Sequence, residues 1–103
     1  MSNYIIAYHG GKKPESPEEG AKHMAKWKAW VGGLGDAVVD PGTPLRKSKV
    51  VSSAGVSNDG GSNAMSGFSV VNTESIDSAV EMAKQCPFLE PGGTLEVAEM
   101  MKM

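Results

Sequence analysis

Near the start of the chain, Tyr4-Ile5-Ile6-Ala7-Tyr8 limits the possible folds more than any other segment. Its β-branched and aromatic residues, closed by Gly10-Gly11, predict a strand. Side chains alternate across a strand, so Tyr4, Ile6 and Tyr8 share one face while Ile5, Ala7 and His9 share the other. Both faces are largely apolar. A strand with one wet face does not carry that pattern; a strand covered on both sides does. The rest of the chain, or a second copy of it, must supply the two covers.

One cover follows directly. Ser16-Pro17-Glu18-Glu19 is a helix start, with Ser16 as N-cap, Pro17 in the first turn and Glu19 completing a capping box. The helix is expected to run to about Leu34, with Gly33 and Gly35 as the stop. At about 100° per residue, Gly20, Met24, Trp27, Val31 and Leu34 fall on one stripe, with Trp30 and His23 beside Trp27 on the same side. Lys22, Lys26 and Lys28 flank or oppose it. His23 therefore belongs to the face that packs inward.

Ala37-Val38-Val39 predicts a short strand broken by a turn at Asp40-Pro41-Gly42, with a further extended piece from Leu45 to Val51. Residues 52–63, rich in Gly, Ser and Asn, predict a loop or a mobile hairpin tip. Met65 to Val71 predicts the next strand. Thr73 or Ser75 then caps a second helix with Ile76, Ala79, Val80, Ala83 and Cys86 on one face. Leu95, Val97, Met101 and Met103 alternate with mostly polar neighbours and predict a last strand, in which Glu99 needs a partner or a wet edge.

The resulting order, β-α-β-β-α-β, is that of an α+β ferredoxin-like fold, an antiparallel sheet with two helices on one face. A chain of 103 residues makes one domain, 1–103, burying roughly 65% of its unfolded surface. Nothing remains to cover the second face of the sheet. A homodimer packed sheet against sheet is the expected solution, with Met100, Met101 and Met103 filling strand packing and the dimer seam.

Charge and cysteine content exclude several partners. Lys plus Arg total 10 against 12 for Asp plus Glu, a net charge of −2 that gives no electrostatic footprint for nucleic acid. No apolar run approaches the ~20 residues of a membrane helix, and the N-terminus lacks the features of a signal peptide. The lone Cys86 suits a reducing compartment, so a cytoplasmic location is expected.

Histidine is the side chain best suited to exchange protons near neutral pH, and the chain has two, His9 and His23. If both line one cleft, they can serve as general base and general acid, with Tyr8, Asp36 or Asp40 as a third member. The plainer alternatives are a core His23 stacked on Trp27 or Trp30, and a His9 that only closes the turn at Gly10. Asp40 is most simply a turn residue. His9, His23 and an aspartate match no ligand spacing, so neither a metal nor another cofactor is expected. Cys86, apolar in position and near a helix C-terminus, is a core residue rather than a nucleophile. Gly32-Gly33-Leu34-Gly35 follows a helix instead of preceding one and cannot cradle a phosphate.

The opening YIIAYHGG, the SPEEG helix with its H and W, the GDAVVDPGTPL segment, the Gly67-Phe68-Ser69-Val70-Val71 strand, CPFLEPGG and the closing LEVAEMMKM together resemble the YCII-related domain family. The resemblance runs over nearly the whole chain. It implies a dimeric α+β barrel, a fold group that includes a dehydrochlorinase of chlorinated hydroxyhydroquinone and muconolactone isomerase. In enzyme-like members a histidine on the first helix pairs with an aspartate at the end of the first strand. His23 matches the histidine, while His9 stands at the aspartate position. A His–His pair would titrate as a coupled unit rather than as an Asp–His dyad. Of the DGPF signature of one large branch only Asp59-Gly60 remains, so no substrate carries over.

Two functions are compatible with this reading. One is a cofactor-free acid/base enzyme of lyase or isomerase type acting on a small, aromatic molecule. There His23 and His9 would move protons, and Tyr8, Trp27, Trp30 and Asp40 would bind substrate. The other is a non-catalytic small-molecule-binding or regulatory homodimer that uses the same cleft.

Overall fold

The computed structural model describes residues 1–58 and 61–103. Strand β1 (Ser2–His9) leads into helix α1 (Pro17–Leu34), strand β2 (Val38–Asp40), a hairpin of β3 (Val50–Ser52) and β4 (Gly55–Ser57), strand β5 (Met65–Thr73), helix α2 (Ile76–Lys84) and strand β6 (Thr94–Glu99). The main sheet has the order β2-β5-β1-β6 and every pairing is antiparallel. That is the ferredoxin-like arrangement, α+β with both helices on one face. β1 lies between β5 and β6, at the centre of the sheet.

Register assigns each residue to a face. Tyr4, Ile6 and Tyr8 stand opposite Val71, Ser69 and Gly67 of β5, and Ile6 and Tyr8 stand opposite Val97 and Leu95 of β6. This inner face meets Ala79, Ala83 and Cys86 and forms the core, in which Ile6, Val71 and Ala79 are fully buried. Burying an isoleucine contributes roughly 1.5–3 kcal/mol, so this short row supplies much of the fold's stability. The outer face carries Ile5 opposite Val70 and Ala98, and Ala7 opposite Phe68 and Glu96. Among the described residues no helix lies on it. The molecule is accordingly a slab, with extents of 41 × 38 × 18 Å, the smallest matching one sheet plus one helical layer.

Both helix starts carry a serine N-cap, although among the described residues the Glu19 side chain does not return the bond that would complete the capping box. Ser16 Oγ accepts the Glu19 backbone N–H at 3.1 Å, and Ser75, rather than Thr73, caps α2 by accepting the Ser78 N–H at 3.1 Å. α1 ends where Gly35 takes a positive φ of 58°. The turn after β2 depends on glycine: Gly42 has φ 78°, and a Cβ there would lie 1.5 Å from the Phe68 carbonyl oxygen.

Two predicted strands are shorter than expected. The last stops at Glu99, leaving Met101 and Met103 outside the sheet and fully exposed. The cause is its partner. The Met100 N–H donates to the Asn3 carbonyl at 2.8 Å, and β1 itself begins at Ser2, so no ladder remains. Glu99 is at a wet edge. The expected extended piece from Leu45 to Val51 is reduced to β3 and to one bond at its start, where the Leu45 N–H donates to the Ser66 carbonyl at 2.8 Å beside the bridge of Pro44 to Gly67. β3 pairs instead with β4 in a hairpin whose Val51 and Val56 face each other and are 76% and 62% exposed. The Asp59-Gly60 remnant lies outside the described residues. Among the described residues no helix is long and apolar enough to cross a membrane.

Candidate active site

The inward stripe of α1 forms as its spacing predicts. Gly20, His23, Met24, Trp27, Trp30, Val31 and Leu34 are half-buried, and every other residue of the helix is exposed. None is fully buried, and a hollow lies between the N-terminal half of the helix and Tyr8 of the sheet. The gap is a cleft of about 310 Å³ walled by Tyr8, His23, Met24, Trp27, Pro44 and Phe88. It is predominantly apolar and of a size that suits one small ring system.

Two of its walls are fixed by hydrogen bonds that run in one direction. The Pro41 carbonyl can only accept, so the Ser69 hydroxyl donates to it at 2.7 Å. The Tyr8 hydroxyl, 2.5 Å from Ser69 Oγ, must then donate to Ser69. Trp27 Nε1–H in turn donates to Tyr8 Oη at 3.1 Å. The chain of bonds ties α1 to the sheet and to the Asp40-Pro41-Gly42 turn. Burial raises the Tyr8 pKa above the ordinary 10.0, opposed in part by its bonds to Ser69 and Trp27. Tyr8 is therefore a neutral phenol whose proton is committed, a wall rather than a base. Burial likewise raises the Cys86 thiol, in keeping with a core residue.

Phe88 is the wall that sequence reasoning missed. Its ring stacks on Tyr8, with centroids 5.3 Å apart and planes 25° apart, and stands tilted against the His23 ring at 6.5 Å. Two glycines leave room for it: a Cβ on Gly93 would fall 2.2 Å from the ring, and one on Gly11 3.0 Å. The signal was present in CPFLEPGG together with Gly10-Gly11, two glycine pairs bracketing one aromatic, but nothing local says that both pairs meet the same ring.

The structure brings Tyr8, His23 and Trp27 together and sends His9, Trp30 and Asp40 elsewhere. Trp30 donates to the Met82 carbonyl at 3.0 Å and lines a separate depression beside α2. Asp40 Oδ1 accepts the Gly42 N–H at 2.8 Å, holding the turn. His9 has the parity of Ala7 and so points to the outer face, where its Nδ1 lies 3.0 Å from the Asn63 carbonyl and its Nε2 3.2 Å from Glu96 Oε1. Strand alternation thus separates the two histidines, and the expected His–His pair does not form. His23 has no hydrogen-bond or ion-pair partner among the described residues, and its ring borders the cleft. Among the described residues no three His, Cys, Asp or Glu side chains are grouped to hold a metal ion.

No protein-family model matches the chain, and no curated protein sequence does. Its fold does have a solved counterpart. The 5-chloro-2-hydroxyhydroquinone dehydrochlorinase of Burkholderia phenoliruptrix AC1100, in complex with 2,5-dihydroxybenzoquinone, superposes with a TM-score of 0.57 over 94% of this chain and 93% of that one. At 15% identity the likeness is one of fold. The shared fold is the ferredoxin-like unit of dimeric α+β barrels.

Proposed function

We propose that this chain is a YCII-like enzyme of lyase or isomerase type, working without a cofactor on a small aromatic molecule bound between α1 and the sheet. One observation carries the reading: His23, a side chain able to exchange protons near neutral pH, borders an aromatic-walled cleft with both ring nitrogens free of partners among the described residues. In the reaction, an unprotonated His23 nitrogen takes a proton from a hydroxyl or carbon of the substrate. The electron pair released either expels a leaving group from a neighbouring carbon or shifts through the π-system, where the His23 imidazolium returns the proton at a new position. Trp27, Phe88 and Tyr8 hold the ring in place and exclude water. His9 takes no part in this version of the mechanism, because it faces away from the cleft. We further infer that the site works in a cytoplasmic homodimer, since Ile5, Phe68 and Val39 leave an apolar outer face that a second copy can cover.

The fold's counterpart supplies the first compounds to try. Chloride release from 5-chloro-2-hydroxyhydroquinone, followed with the parent protein and with His23→Gln, tests the chemistry. A parent rate above background that falls roughly 10²-fold or more in the variant is the expected result. Equal rates in parent and variant would remove His23 from the reaction. Binding of 2,5-dihydroxybenzoquinone without turnover of any tested compound would favour the alternative, a non-catalytic dimer that holds a small molecule in the same cleft.

A further inference from the structure

The aromatic cleft opens outward into a second hollow of about 540 Å³, and His23, Pro14, Ser66 and Phe88 line both. The outer hollow differs in kind from the inner one. Four lysines, Lys12, Lys13, Lys22 and Lys26, border it against two glutamates, Glu19 and Glu90. One of those glutamates is already neutralised, because Lys26 Nζ lies 3.0 Å from Glu90 Oε2. Lys12, Lys13 and Lys22 have no carboxylate partner among the described residues. A chain with a net charge of −2 thus gathers three lysines without ion pairs, against the single glutamate Glu19, at the mouth of an apolar cleft. Lys22 belongs to α1, one residue before His23, while Lys12 and Lys13 follow the Gly10-Gly11 turn, so two separate elements bring these charges to one opening.

Resting on the site reading above, we propose that the ligand is an aromatic anion, its ring against Trp27 and Phe88 and its carboxylate or comparable anionic group among Lys12, Lys13 and Lys22. The division of labour follows from the two hollows. Apolar walls reward burial of a ring but offer nothing to a charge, and the lysine rim attracts a charge while leaving it hydrated. A ligand carrying both parts uses both hollows and is oriented by them, with its ring edge beside His23. The lysines also raise the local concentration of anions at the opening.

Benzoate and benzamide have nearly the same shape and differ in charge, which makes them the test pair. Each is titrated into the protein while NMR follows the indole N–H of Trp27 and the ring of His23, with the indole of Trp30 as an internal control. Benzoate is expected to bind roughly tenfold more tightly than benzamide. That preference should shrink as salt is raised. In the triple variant Lys12→Gln, Lys13→Gln, Lys22→Gln the preference should vanish and benzamide affinity should stay unchanged. These are exposed side chains, so the fold is retained. Equal binding of the two compounds by the parent, or a preference that survives the triple variant, would overturn the proposal while leaving the cleft as a binding site. If neither compound moves the Trp27 or His23 signals, the site reading fails and the proposal falls with it.

Discussion

The two histidines lie on opposite sides of one sheet, His9 at the end of β1 and His23 on α1, and their surroundings differ in a way that composition alone could not reveal. His9 is 8% exposed and has a partner on each nitrogen, Asn63 on one side and Glu96 on the other. Both partners are acceptors. His23 is half-buried, has no hydrogen-bond or ion-pair partner among the described residues and borders a cavity. A satisfied imidazole holds structure together, whereas an unsatisfied one beside a cleft is available to a ligand. The same contrast runs through the faces that carry them. The inner face is sealed by its own helices over Ile6 and Val71, while on the outer face Ile5 and Phe68 keep contact with solvent.

The largest way to break this contrast is chemical. His23→Gln should lower turnover by roughly 10²–10⁴-fold, and His9→Gln should leave it near the parent value. A comparable loss in both variants, measured on folded protein, would mean that the faces do not divide the labour. Next in size is packing. Ile6→Ala should cost about 2–5 kcal/mol in urea unfolding, because it empties a fully buried site. Ile5→Ala, on the half-buried outer face, should cost less, and its cost should depend on protein concentration if a second copy covers that face.

Tyr8→Phe probes the link between α1 and the sheet. It deletes the bonds to Trp27 and Ser69 and should cost about 1–3 kcal/mol. It should also alter the alkaline limb of stability. The native pKa of Tyr8 lies above 10.0, so its contribution is complete below that value and is lost as pH rises through the raised native one. Cys86, raised above 9.0, adds a loss that begins lower. Thermal melts from neutral to alkaline pH should therefore fall less steeply in Tyr8→Phe than in the parent. The smallest effect belongs to Glu96→Gln. Glu96 is 68% exposed, so breaking its contact with His9 should change stability by roughly 0–1 kcal/mol.

Much of this architecture was legible because it rests on local periodicity. The two-sided apolar β1, the cap at Ser16 and the seven-residue inward stripe of α1 each follow from spacing alone. The candidate site was legible only in part. Tyr8, His23 and Trp27 meet at one cleft because α1 packs on the even-numbered face of β1. His9 was assigned to the same cleft although its odd position in the strand turns it outward. Trp30 sits one turn beyond Trp27, where α2 is close enough to take its N–H, so it serves helix packing. Phe88 and the lysine rim were not visible, since Gly11, Gly93 and Lys22 converge only in three dimensions. The last strand was overextended because alternation continues through Met103 after its partner strand has ended.

Long-range ¹H–¹⁵N correlation spectra of the two imidazoles, recorded while 2,5-dihydroxybenzoquinone is titrated in, test the central claim most directly. The account predicts saturable shifts of the His23 ring signals with the His9 signals unmoved. A response at His9 with none at His23 would contradict it.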